Sequence, residues 1–281
     1  MVKEAGAAEA VRRGGVFLML VFGALLFSIP FLWTVSTALK TNQQVFAVPP
    51  QWIPHPVAWE NFHRAWTELP FPTFVGNTVF LTLVGTFGQV MSASLVAYGF
   101  ARFKFPGRTV FFYLMLSTMM LPSQVTMIPL FLLWRQLHLI DTFAPLVIPA
   151  FFGGSAFNIF LLRQFFMTIP KELDEAAMLD GASPFMIWWR VLLPLSKPAL
   201  ISTVLFSFLA HWDDFMGPLI YLNTEDKYTV SVGLRMFQDL FSTELNLMMA
   251  AALIHIIPTI VLFFVAQRYF IKGIAMSGLK G

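Results

Sequence analysis

Glu175-Ala176-Ala177-Met178-Leu179-Asp180-Gly181, followed by Val191-Leu192-Leu193-Pro194, is a short polar interruption between two long apolar segments. Leu173, Ala176, Ala177 and Asp180 recur at helical spacing, so 170–179 reads as a short helix with Pro170 at its start. Glu172, Asp174 and Glu175 fall in its first turn, where the helix dipole favours negative charge. Gly181 can adopt a positive φ, and so can end the helix and turn the chain. Ser183-Pro184 then caps and starts a second helix through Trp188, Trp189 and Arg190 to Leu193. Pro194 and Pro198 are expected to stop it. The residues alone therefore predict helix, glycine turn, helix.

On both sides of this block the chain is built for lipid. Of its 281 residues 57% are hydrophobic, only 12% are charged, and 32 are phenylalanine. Soluble domains carry about a quarter charged residues, so a water-soluble globule is excluded. A spanning helix needs about 20 apolar residues. Six segments reach that length: 15–39, 73–101, 109–134, 143–168, 198–222 and 247–271. The first run lacks a small-residue cleavage site, so it reads as a retained span rather than a signal peptide. A net charge of +3 gives no reason to expect nucleic acid as a partner. With the N-terminus inside, thirteen of the 18 Lys and Arg residues flank the inner side and five the outer side. Both termini are then cytoplasmic. Cysteine is absent, so neither a disulfide nor a thiolate metal site is available.

The organisation along the chain follows. Residues 1–14 form a small, charged cytoplasmic segment expected to be mobile, and 15–72 hold the first span and an external loop. Within that loop Pro49, Pro50, Pro54 and Pro56 forbid a continuous helix, and 59–66 reads as one short interfacial helix. The second span ends in Arg102-Phe103-Lys104-Phe105-Pro106-Gly107-Arg108, three cations closed by a Pro-Gly turn. Pro122 and Pro129 interrupt the third span around Ser123-Gln124, which either lines a watered, protein-facing surface or marks a simple kink. Asp141 is placed to cap the fourth span, and Gly153-Gly154-Ser155-Ala156 within it would let helices approach closely.

Asp213 and Asp214 lie about halfway along the fifth apolar run, where burying a charge costs ~2.5–3.5 kcal/mol. They either face a translocation path or polar intersubunit contact, or sit at a wide watered interface, or Asp213 is protonated through desolvation. His211 and His255 lack a second ligand at helical spacing, so no metal site is expected. The chain contains neither G-x-x-x-x-G-K-[ST] nor G-x-S-x-G, so it has no phosphate-cradling loop and no nucleophile elbow of its own.

The spacing E-A-A, three residues, G, nine residues, V-L-L-P resembles the coupling-loop motif of the membrane subunits of ABC importers. The likeness extends to Ser94–Arg108, Leu121–Leu130, Leu161–Phe166, Trp212-Asp213-Asp214-Phe215 and Gln267–Gly281, which resemble the carbohydrate-importer branch and its shorter, maltose-type permease. The chain departs from that branch at Asp213, where asparagine is usual, and at Ala275-Met276-Ser277.

The resemblance implies an all-α integral membrane protein of six transmembrane helices with the type I ABC importer permease fold. Residues 73–271 would be a five-helix core, 170–197 its coupling loop, and 272–281 a cytoplasmic tail. It implies Glu175, Ala176, Ala177, Asp180, Gly181 and Pro194 as contacts to a separate ATPase, and Asp213 and Asp214 as path or intersubunit residues. Implied partners are a homologous second permease, two nucleotide-binding ATPase subunits that hold the ATP and Mg, an extracytoplasmic solute-binding protein, and membrane lipids. The chain itself would be a non-enzymatic subunit without a cofactor. The expected cargo is a carbohydrate, with a polyamine or other small organic solute as runner-up. An ion-driven secondary transporter, which would scatter charged relays through several spans and show internal repeats, is the class-level rival.

Overall fold

The computed structural model describes the backbone of residues 2–238 and 244–277, and side chains at 12–238 and 244–267. Every regular element among them is helical. In chain order these are α1 (Val2–Ala38), α2 (Asn42–Val45), α3 (Glu60–Thr67), α4 (Phe71–Arg102), α5 (Arg108–Ser117), α6 (Ser123–Gln136), α7 (Ala144–Val147), α8 (Ala156–Thr168), α9 (Glu172–Leu179), α10 (Pro184–Ile187), α11 (Leu193–Leu195), α12 (Lys197–Trp212), α13 (Met216–Tyr221), α14 (Val230–Met236) and α15 (Leu245–Ser277). Among the described residues four helical stretches are long and apolar enough to cross a membrane, or up to six if each bent pair counts as one span.

The chain divides into two units. Residues 1–69 and 234–256 form the first. Here α1 already begins at Val2, so 2–14 extend the helix rather than forming a separate mobile tail. The alanine-rich run Ala5, Ala7, Ala8, Ala10 explains why, alanine being the strongest helix former. Beyond α1, Asn61 on α3 donates through Nδ2 to the carbonyls of Ala38 and Lys40, both at 2.8 Å, and pins the chain where α1 ends. The expected interfacial helix is α3. Phe237 is buried.

Residues 70–233 and 257–281 form the second unit, built around α4 packed along α8 and α12. Small residues on α4 make the approach possible. A Cβ on Gly85 would fall 1.8 Å from the His211 ring of α12, so only glycine fits there. Asn158 Nδ2 of α8 donates to Ser207 Oγ of α12 at 2.9 Å, a buried interhelical bond of the kind lipid-embedded helices use.

Three expected spans are broken. The third bends by 100° between Met120 and Ser123, with Ser123 and Gln124 exposed at the bend. In the fourth, Gly153-Gly154 lies outside the helix, although a Cβ on Gly154 would come 3.2 Å from Gln89 Cγ of α4, so the small residue still permits a close approach. Gly153 takes φ +85° and leaves the helix, Ser155 caps α8, and Ser92 Oγ of α4 donates to the freed Ala150 carbonyl at 2.7 Å. Backbone interrupted at membrane depth needs such a partner. The fifth run, 198–222, ends its helix at Trp212 and resumes at Met216, because Asp214 bonds local backbone instead of continuing the helix.

Candidate functional site

The loop between α8 and α12 carries the predicted shape with shifted ends. The first helix, α9, starts at Glu172 rather than Pro170. Gly181 has φ +83°; its N–H donates to Met178 O at 3.0 Å and Ala182 N–H to Ala177 O at 2.9 Å. These two bonds satisfy carbonyls left open at the helix end and fix a sharp turn. Ser183 Oγ accepts from Met186 N–H and Pro184 opens α10. Pro194 does not end the second helix. A π turn over Trp188–Leu192 precedes it, and the helix runs through it to Leu195. The wider turn suits a residue that has no N–H to donate. Pro198 lies in the first turn of α12, so it starts that helix instead of stopping the previous one. The two helical stretches on either side of Ser196 meet at 87°.

One side of this loop is anchored. Ile187, Trp188 and Leu192 are buried, and Trp188 and Leu192 join Ala97, Tyr98 and Ala101 of α4 and Leu162 and Phe166 of α8 in a single apolar cluster. Asp174 points the same way. Its Oδ2 lies 2.7 Å from Nε of Arg102, the last residue of α4, with the two side chains only 11% and 5% exposed. Burial pushes the Asp174 carboxyl above its ordinary range, and the Arg102 charge opposes that shift. Arg102 Nη2 also donates to Ile169 O at 3.0 Å.

The other side faces away from the unit. Glu175, Ala176, Asp180, Gly181 and Pro194 are exposed, and Ala177 is half-buried. Leu179 is 90% exposed and Phe185 63%, with Leu173, Met178 and Trp189 also open. Large apolar side chains held out on a rigid, acid-bearing loop form a surface suited to a protein partner. The sequence reading found this surface but missed Arg102, which it counted only among flanking cations. The available signal was Asp174 sharing a helical face with Ala177 rather than with the exposed acids.

Asp213 and Asp214 are not equivalent. Asp213 is exposed at the end of α12, while Asp214 is half-buried and its Oδ1 accepts from Gly217 N–H at 3.1 Å, capping α13. Among the described residues no cluster of three or more His, Asp or Glu could hold a metal.

A second polar constellation ties two loops together at Asp141. With φ +60°, this residue does not cap the fourth span; Thr142 Oγ1 accepts from Ala144 N–H instead. The Asp141 carboxylate accepts from Asn223 N–H at 2.9 Å, Thr224 N–H at 3.1 Å, Thr224 Oγ1, and Lys227 Nζ at 2.8 Å. Those donors hold its carboxyl well below the ordinary range. The loops at 102–108 and 169–197 thus meet through Arg102, and those at 137–143 and 223–227 through Asp141.

Residues 89–276 match the family described as binding-protein-dependent transport system inner membrane component. The chain is 33% identical to the sn-glycerol-3-phosphate transport system permease protein UgpE of Yersinia pestis bv. Antiqua, over 92% of this chain and 95% of that protein. It is 33% identical to the arabinooligosaccharides transport system permease protein AraQ of Halalkalibacterium halodurans, over 81% of each. A solved bacterial ABC transporter that imports the acidic polysaccharide alginate contains a chain of the same fold. The TM-score is 0.81 at 27% identity, covering 92% of this chain and 97% of that one.

Proposed function

The chain belongs to the binding-protein-dependent transport system inner membrane components, and from that premise we propose that it is one permease of an ATP-driven importer that carries a carbohydrate into the cell. It is an all-α, multi-pass membrane protein and a transporter subunit. The observation that carries the fuller reading is the 170–197 loop, anchored on one side by Trp188, Leu192 and Asp174 and presenting Leu179, Phe185 and the acids Glu175 and Asp180 on the other. In this reading that face seats in a separate ATPase subunit, which binds the ATP and Mg. A homologous permease completes the pore, a solute-binding protein delivers cargo from outside, and both termini are cytoplasmic.

The loop acts as a lever on a two-state equilibrium. Closure of two ATPase subunits around ATP brings the two loops together and favours the outward-open arrangement. Such coupling requires that the ATPase contact the loop differently in the two states. Asp213 and Asp214 stand beside the path or against the second permease. The names of AraQ and of the alginate importer support an oligosaccharide as cargo. UgpE favours a second reading, a small phosphorylated polyol.

The test is to purify the chain with its partner permease, ATPase and binding protein and to screen solutes for stimulated ATP hydrolysis and uptake into proteoliposomes. Stimulation by a glycan supports the first reading and stimulation by a polyol phosphate the second. Uptake driven by an ion gradient without ATP refutes both.

A further inference from the structure

We propose that Arg102 and Asp174 are positioning residues that join the coupling loop to the membrane helices, so that displacement of α9 is delivered to α4 and α8 together. The inference rests on the loop being the ATPase contact.

Arg102 ends the 32-residue helix α4. Its guanidinium touches two other elements: Nε faces Asp174 Oδ2 of α9 at 2.7 Å, and Nη2 donates to Ile169 O at 3.0 Å, the carbonyl where the chain leaves α8. One planar group thus joins the ends of two long helices to the loop. Apolar packing surrounds the contact, with Tyr98, Ala101, Phe166 and Ile169 all buried. Water is largely excluded, so neither charge has an easy alternative partner. Buried apolar contacts let surfaces slide, whereas a short buried ion pair holds the distance between α4 and α9, and the one directed hydrogen bond, from Arg102 Nη2 to Ile169 O, orients the guanidinium; Arg102 Nε itself has no hydrogen-bond partner. Arginine suits the task because its extended guanidinium can sit against the Asp174 carboxylate while Nη2 donates to Ile169 O, and a lysine ammonium is a single point charge.

A second feature marks the pair as more than packing. Asp174 is the acid of the first turn of α9 that turns inward, while Glu172 and Glu175 on either side are exposed. Its other oxygen, Oδ1, is buried without a hydrogen-bond partner. Burying a half-satisfied carboxylate costs stability that an alanine would avoid. A purely structural anchor would be met more cheaply by the neighbouring apolar cluster.

The experiment uses the complete transporter in proteoliposomes and reads solute uptake and ATP hydrolysis in the same preparation. The variants are Asp174→Ala, Arg102→Lys and the exchange Arg102→Asp with Asp174→Arg. Asp174→Ala should raise the ATP hydrolysed per solute by about tenfold or more, since an interaction that couples parts is lost when either member is removed. Arg102→Lys should give an intermediate ratio, and the exchange should recover part of the loss. A wild-type ratio in Asp174→Ala overturns the inference. So does a parallel fall of uptake and hydrolysis that the exchange does not repair, since that is the mark of a structural role. Should Asp174→Ala fail to assemble, the Arg102→Lys ratio decides on the same criterion. A wild-type complex that transports without ATP would instead defeat the functional reading.

Discussion

Gly181→Val should uncouple transport from ATP hydrolysis while leaving membrane insertion intact. Gly181 sits at φ +83°, and a Cβ placed there meets nothing within 4 Å. The penalty is therefore torsional, with no clash to relieve. Forcing an L-residue into the left-handed region costs about 1–2 kcal/mol, with a β-branched side chain at the upper end. That energy is concentrated on the turn held by the Gly181-to-Met178 and Ala182-to-Ala177 bonds. The helix it terminates, α9, has 8 residues, too few to persist without its cap and its packing. A cost of that size shifts the equilibrium between ordered and opened turn by a factor of roughly 5–30. Hydrogen exchange over 172–182 should quicken by about that factor, and ATP hydrolysed per solute should rise with it. Gly181→Asn, which tolerates the left-handed region, should lose far less. Wild-type exchange and wild-type uptake in Gly181→Val would refute the argument, because the turn would then not be what holds the loop.

Asp214→Ala should lower uptake sharply by leaving the Gly217 N–H unpaired, at a cost of ~1–3 kcal/mol, whereas Asp213→Asn should stay near wild type. The opposite ranking in an uptake assay would reverse the roles. At Asp141, the depressed carboxyl contributes stability above its ordinary pKa of 3.8 that is lost as pH falls below that value. Protection at 223–227, taken relative to the intrinsic exchange rate at each pH, should be unchanged between pH 7 and 5, fall only at stronger acidity, and be lower from pH 5 to 7 in Asp141→Ala; opening near pH 6 would contradict this. A cysteine introduced at position 180 of this cysteine-free chain should be shielded from an impermeant thiol reagent in sealed cells, and labelling from outside would overturn the orientation.

What the sequence determined by itself was whatever short-range chemistry controls. Low charge and long apolar runs decide for a membrane, since no water-exposed packing could absorb them. The turn at Gly181 and the start at Ser183-Pro184 were legible because caps depend on a residue and its neighbours within one helical turn. The resemblance to importer permeases was legible for the same reason, being carried by short contiguous motifs, the 170–197 loop foremost.

Tertiary structure decided the rest. Arg102 and Ile169 are 67 positions apart, and nothing local tells a flanking arginine that it will be buried against Asp174. Likewise Asp141 looked like a cap because its neighbours permit one, yet Asn223, Thr224 and Lys227 arrive from 82 or more positions away and claim its carboxylate. The fifth span is the exception: its break at Asp214 is a local bond to the Gly217 N–H three residues on, hidden in the sequence by the apolar run on either side. In the other two cases a polar side chain had several possible partners. A group kept from water takes whichever donor or acceptor the folded chain brings within about 3 Å, and only the packing of α4, α8 and α12 determines which one that is.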